Sequence, residues 1–156
     1  MELFLSTFVN KVDRKGRVSV PATFRAAVAD QSFPGIVVFP SFKYEALDGS
    51  GIKRMEEMTA RQNTLDEFSD EHENIGMLFA MSQALPFDTE GRIVLPEDLA
   101  GYAHITESAA FVGLGKSFQI WEPSHFADHQ SSLRERARRQ ETRLPPLAGS
   151  AERRRE

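Results

Sequence analysis

"VDRKGRVSVPATFRAAV", residues 12–28, and "FDTEGRIVLPEDLAGYA", residues 87–103, decide the fold of this chain, because the second is the first displaced by 75 residues. Asp13, Gly16, Arg17 and Pro21 recur as Asp88, Gly91, Arg92 and Pro96. Val12, Val18, Val20 and Phe24 meet apolar counterparts in Phe87, Ile93, Leu95 and Leu99. Identity falls on turn residues and hydrophobicity on core residues, the division that two copies of one supersecondary unit require.

Each copy has a direct physical reading. Asp-x-x-Gly between apolar segments predicts a hairpin: the Asp carboxylate accepts from nearby backbone N–H groups, and Gly takes the positive φ that follows a type I turn. The two middle residues then occupy the tip, Arg14 and Lys15 in the first copy and Thr89 and Glu90 in the second. "RVSV" and "RIVL" read as short strands. Pro21 and Pro96 suit a helix's first turn, where no N–H is needed, and Phe24, Ala27 and Val28 follow at helical spacing, as do Leu99, Tyr102 and Ala103. Farther on, "IVVF" (36–39) aligns with "FVGL" (111–114), and "YEAL" (44–47) with "FQIW" (118–121). A unit with four short strands is marginal alone, so each copy is expected to pair with its twin. The fold class is therefore mainly β with helices, α+β. Residues 50–77 predict one or two helices with an acidic run, residues 124–140 another helix, and residues 144–156 a flexible basic tail.

The net charge of -4 conceals segregation: residues 1–25 carry +3, residues 134–156 carry +4, and the middle carries -11. A basic edge on an acidic body points to a polyanion or to self-complementary assembly. The chain has no cysteine, which excludes disulfides and thiolate metal sites. Its start, "MELFLSTFVNKV", lacks a basic n-region, and no run has the length of a membrane span, so the expectation is a soluble, non-exported protein.

"STFVNKVDRKGRVSVPATFR", followed by "DTEGRIVLP", resembles the MraZ family, built from two SpoVT/AbrB-type domains. The resemblance implies two tandem swapped-hairpin AbrB-like repeats forming an intertwined, pseudo-symmetric β barrel. Their expected spans are 7–51 and 81–124, with a helical acidic insert over 52–80, a C-terminal helix over 125–143 and the tail after it. It further implies a ring-shaped homo-oligomer, cytoplasmic and nucleoid-associated. This oligomer would bind G-rich direct repeats in double-stranded promoter DNA and regulate, usually repress, its own division and cell-wall operon. No catalysis, cofactor, membrane or small-molecule substrate is expected. The family's DNA-contacting hairpin falls on Arg14, Lys15 and Arg17 around the turn residues Asp13 and Gly16, with weaker support for Lys11, Arg25 and Arg92. Arg17 could equally pair with its own Asp13, and Arg92 is expected rather to pair with Asp88, each holding its turn. Copy two, built around Asp88 and Gly91, departs from the pattern at its tip, where Glu90 repels phosphate. It is expected to serve the barrel and the subunit interfaces.

Other motifs read less productively. "GLGKS" (113–117) reproduces the end of a phosphate-binding loop, but the required first glycine is Ala110 and "FQIWEP" reads as a strand where a helix is needed, so a strand-connecting turn is expected. His125 and His129 stand at metal-ligand spacing around Asp128, without further His or Cys nearby, and no metal is expected. The acidic run "DEFSDEHE" (66–73) lacks a calcium-loop glycine and spacing and reads as a solvated helix face or linker whose charge would keep DNA off that side. The terminal "ERRRE" would add non-specific DNA affinity or simply be solvated. The competing functions are an oligomeric scaffold whose basic edge meets an acidic partner, and a broader AbrB-type or antitoxin-type DNA-binding regulator.

Overall fold

The computed structural model describes residues 2–140; the predicted tail, 144–156, and the last three residues of the predicted C-terminal helix lie outside them. The elements are β1 (Thr7–Lys11), β2 (Arg17–Ser19), α1 (Ala22–Ala27), β3 (Gly35–Pro40) and β4 (Leu47–Ser50), then α2 (Ile52–Asn63) and α3 (Asp70–Met81). The first pattern then repeats as β5 (Gln83–Pro86), β6 (Arg92–Val94), α4 (Glu97–Tyr102), β7 (Ser108–Gly113) and β8 (Phe118–Trp121), followed by α5 (Pro123–Gln140). One compact unit runs to Pro123 and a second begins at Ser124.

All ladders between these strands are antiparallel. Six strands form a sheet in the order β1-β7-β8-β4-β3-β5, and β2 and β6 form a separate ribbon. Only β3·β4 and β7·β8 join strands of the same copy; β1·β7, β3·β5, β4·β8 and β2·β6 join one copy to the other. Each copy thus satisfies the other's strand edges, which a unit of four short strands cannot do alone. Val18 faces Ile93 at the centre of the ribbon, and these are the same position of the repeat.

The ladders correct the alignment of the later strands. They match Gly35–Pro40 with Ser108–Gly113 and Leu47–Ser50 with Phe118–Trp121, at displacements of 73 and 71 residues instead of 75. The connections explain the drift: residues 28–34 and 41–46 are each two longer than their counterparts 103–107 and 114–117. The pairing of "IVVF" with "FVGL" is therefore two residues out, and that of "YEAL" with "FQIW" three. The slip of two leaves every side chain of "IVVF" on its own face of the sheet, so the apolar pattern conceals it, whereas the slip of three arises because "YEAL" lies mostly in the connection before Leu47–Ser50.

Pro21 and Pro96 stand one residue before their helices, in extended conformation, with carbonyls that accept from Arg25 N (3.0 Å) and Ala100 N (2.9 Å). Phe24 and Leu99 project from these short helices into one core with Val18, Ile36, Leu47, Ile93, Phe111, Phe118 and Ile120. The Phe24 ring, fully buried, packs on Phe4, Phe8, Phe111 and Phe118 with centroids 5.2–6.2 Å apart. Its partners come from both copies, so neither copy owns a complete core.

The segment between the copies is a helical pair. The Gln31 side chain accepts from Lys53 N at the start of α2, and Ser69 Oγ accepts from His72 N at the start of α3. Asp70, Glu71 and Glu73 fill the first turn of α3, where the helix dipole favours carboxylates. Arg61 joins α2 to α3 through Glu71 at 3.0 Å. "GLGKS" connects β7 to β8: Leu114 N donates to Ser117 O, Gly115 has φ +95°, and the strand Phe118–Trp121 follows directly. Among the described residues the second unit consists of α5 from Ser124 onward, with its side chains exposed or half-buried. No helix among the described residues is long and apolar enough to cross a membrane.

Candidate nucleic-acid interface

The first hairpin turn is held by a single carboxylate. Gly16 N donates to Asp13 O and Asp13 N to Arg17 O, both at 3.0 Å, and Gly16 sits at φ +82°. Asp13 Oδ1 accepts from Lys15 N and Arg17 N, each at 2.9 Å, while Oδ2 meets Arg17 Nε at 2.6 Å. The backbone N–H of Arg17 foremost, then its guanidinium and the Lys15 N–H, hold the Asp13 carboxyl below its ordinary range. Asn10 Nδ2 donates to Ser19 O across the base of the hairpin.

The second turn repeats this construction. Asp88 accepts from Glu90 N (2.8 Å) and Arg92 N (2.9 Å) and meets Arg92 Nε at 2.8 Å; Gly91 has φ +76°. Asp88 titrates low, chiefly because Arg92 N donates to it, and its hydrogen bond to Arg92 in turn holds that guanidinium charged. Glu90 lies 3.3 Å from Arg92 Nη2. Tip two thus neutralises its own cation.

The structure sorts the candidate residues by what already occupies them. Arg14 and Lys15 are exposed at tip one, and their side chains make no hydrogen bond or ion pair among the described residues. Arg17 and Arg92 are tied to Asp13 and Asp88. Lys11 is exposed on β1, in register with Ser108. Arg25 donates from Nε to Val20 O at 3.2 Å and packs over Gly91, where a Cβ would lie 2.6 Å from that nitrogen. The structure gives Arg25 a place in holding the second turn.

Antiparallel pairing of β2 with β6 sets the tips at opposite ends of the ribbon, with Arg17 opposite Val94 and Ser19 opposite Arg92. Val18 and Ile93 are buried on one face, so Arg17, Ser19, Arg92 and Val94 share the other. A cleft of about 450 Å³ opens beside tip one, bordered by Arg14, Lys15, Pro96, Glu97, Ala100 and Ile105. Ala100 stands where the repeat places Arg25, which covers the other turn. Sequence reasoning missed this cleft and Glu97, although the Arg25/Ala100 mismatch was visible in the aligned copies.

Elsewhere, a cavity of about 390 Å³ lies between the sheet and α2–α3, with Asp48, Arg54, Met58 and Gln119 in its wall. Gln119 donates to Asp48 at 3.1 Å, and burial raises the Asp48 pKa. His125 and His129 lie on α5, and no group of three or more potential metal-ligating His, Asp or Glu occurs among the described residues.

The chain is similar to known proteins over most of its length. A family model described as MraZ protein, putative antitoxin-like, matches residues 78–144. The Transcriptional regulator MraZ of Rickettsia akari (strain Hartford) is 40% identical over 141 residues, spanning 90% of this chain and 95% of that protein. The protein of the same name from Gluconobacter oxydans (strain 621H) is 38% identical over 155 residues, 97% of this chain and 94% of its own. That of Rickettsia felis (strain ATCC VR-1525 / URRWXCal2) is 41% identical over 133 residues, covering 85% and 89%.

Proposed function

The chain belongs to the MraZ family of transcriptional regulators, and on that premise we propose that its Arg14–Lys15 tip is the part that engages double-stranded DNA. The protein is a DNA-binding regulator, not an enzyme. The observation that carries the site is the contrast between the tips. Tip one displays two cations without partners among the described residues on a turn held by Asp13 and Gly16, and tip two is neutralised by Glu90 and Asp88. Cations on a pre-formed turn displace counterions from phosphates without an ordering cost in the turn itself, and an Arg at such a tip reaches guanine O6 and N7 in the major groove. Arg17 fixes the turn with Asp13 and adds to the potential; Lys11 contributes at longer range, while Arg25 and Arg92 maintain the second turn.

In this reading the ribbon and the six-stranded sheet together make the pseudo-symmetric barrel of two AbrB-like repeats, over 7–51 and 81–124. Several copies assemble in a ring, presenting tips to successive G-rich direct repeats upstream of the protein's own operon, where binding represses. One tip binds weakly, so affinity comes from several tips acting at high effective concentration. The test is a titration of purified protein against fluorescent duplexes from that upstream region, with the repeats intact, reduced in number or scrambled, at two salt concentrations. Selective binding that strengthens with repeat number is expected. Equal binding to all duplexes that vanishes with salt would overturn the reading in favour of a scaffold whose basic edge meets an acidic partner.

A further inference from the structure

The cleft beside tip one contains a carboxylate that the turn does not use. Leu95 N donates to Gly16 O at 2.8 Å, which ties the start of α4 to the first hairpin and brings Glu97 to the border of the cleft shared with Arg14 and Lys15. Glu97 is the first residue of α4, is exposed, and has no hydrogen-bond or ion-pair partner among the described residues. The adjacent Asp98 is occupied, accepting from Gln83 Nε2 (3.1 Å) and Leu99 N (2.9 Å). In the other copy the positions of Glu97 and Asp98 hold Ala22 and Thr23, so the repeat supplies no such carboxylate beside tip two.

A free carboxylate beside two cations that face a polyanion weakens binding to phosphate everywhere, unless it meets a donor on the nucleic acid. In the major groove the amine donors are cytosine N4 and adenine N6, of which cytosine N4 is the one that characteristically pairs with carboxylates, whereas thymine presents the O4 acceptor and guanine the N7 and O6 acceptors. Resting on the DNA-binding reading above, we propose that Glu97 is a specificity-determining residue that accepts from cytosine N4 beside the bases or phosphates engaged by Arg14 and Lys15. The contact surface is then composite: cations from the first copy and the acceptor from the second, juxtaposed by the β2·β6 register.

The experiment measures wild type, Glu97→Gln and Glu97→Ala against the upstream duplex and against duplexes in which each C·G pair of the repeats is changed singly to T·A, with thermal unfolding as the control for fold. Wild type is expected to lose at least about tenfold in affinity at one or more of these substitutions. Glu97→Gln should lose that penalty, because its amide donates to thymine O4 as readily as its oxygen accepts from cytosine N4, and Glu97→Ala should lose it too. If both variants bind every duplex more tightly by one common factor, with the wild-type preference intact, Glu97 acts only by general repulsion and the proposal is overturned. If wild type itself does not distinguish intact from scrambled repeats, the DNA reading fails and takes this proposal with it.

Discussion

Replacing Arg14 and Lys15 together with Ala removes two charges that the fold does not use, so the variant isolates their work on DNA. Neither side chain holds the turn; that rests on Asp13, Gly16 and Arg17. For B-form DNA each neutralised phosphate contributes about 0.9 to the slope of log K against log salt, so the double variant should lose about 1.8 from the slope per engaged tip. Between about 50 and about 200 mM salt, wild type then loses affinity about twelvefold more steeply than the variant for every tip engaged, and the factor multiplies with the number of tips. The assay is fluorescence anisotropy over a salt series, with thermal unfolding and hydrodynamic size measured alongside. An unchanged slope at unchanged stability would refute the assignment of phosphate contacts to this tip. A reduced slope accompanied by unfolding would refute the claim that these side chains are independent of the fold.

Phe24→Ala should cost about 3–5 kcal/mol, a large share of the stability of a domain this size, and denaturant unfolding should remain a single transition because the Phe24 pocket is built from both copies; separate transitions for the halves would contradict the shared core. Gly16→Ala forces a Cβ onto a residue at φ +82° and to 3.0 Å from Leu95 O, so it should destabilise by about 1–2 kcal/mol in urea unfolding, whereas Gly101→Ala, with open space in α4, should be neutral or stabilising. Asp13 and Asp88 titrate below their unfolded values, so their stabilisation is complete above the ordinary carboxylate pKa and is lost as pH falls through the lower folded one; the amide resonances of Lys15, Arg17, Glu90 and Arg92 should shift together in that acidic window. Asp48 has the opposite sign: burial raises its folded pKa, so its charge costs stability as pH rises through that range. Asp48→Asn, which still accepts from Gln119, should be more stable than wild type at neutral pH, and the difference should close on acidification.

The repeat, the two Asp-x-x-Gly turns, the short helices after Pro21 and Pro96 and the charge contrast between Arg14–Lys15 and Thr89–Glu90 are all legible in the order of residues alone. These features are local: a positive-φ glycine, an Asp within reach of N–H groups two and four residues on, and helical spacing of apolar residues all act within a few residues. Strands β3, β7 and β8 are legible as strands, but the reading of β4 at 44–47 falls three residues before Leu47–Ser50, and the copies align out of register, since a two-residue difference in loop length leaves the period-two apolar pattern intact. Which strands pair is settled by the packing of the two copies against each other. Interleaving of the copies places Leu95 against Gly16 and so sets Glu97 of one copy beside the basic turn of the other, while Arg25 covers the second turn and Ala100 leaves the first one open. Those neighbours are tens of residues apart in the chain, and no short-range rule of turns or helices could bring them together. The exchange of hydrogen-bonded edges between two incomplete units does so.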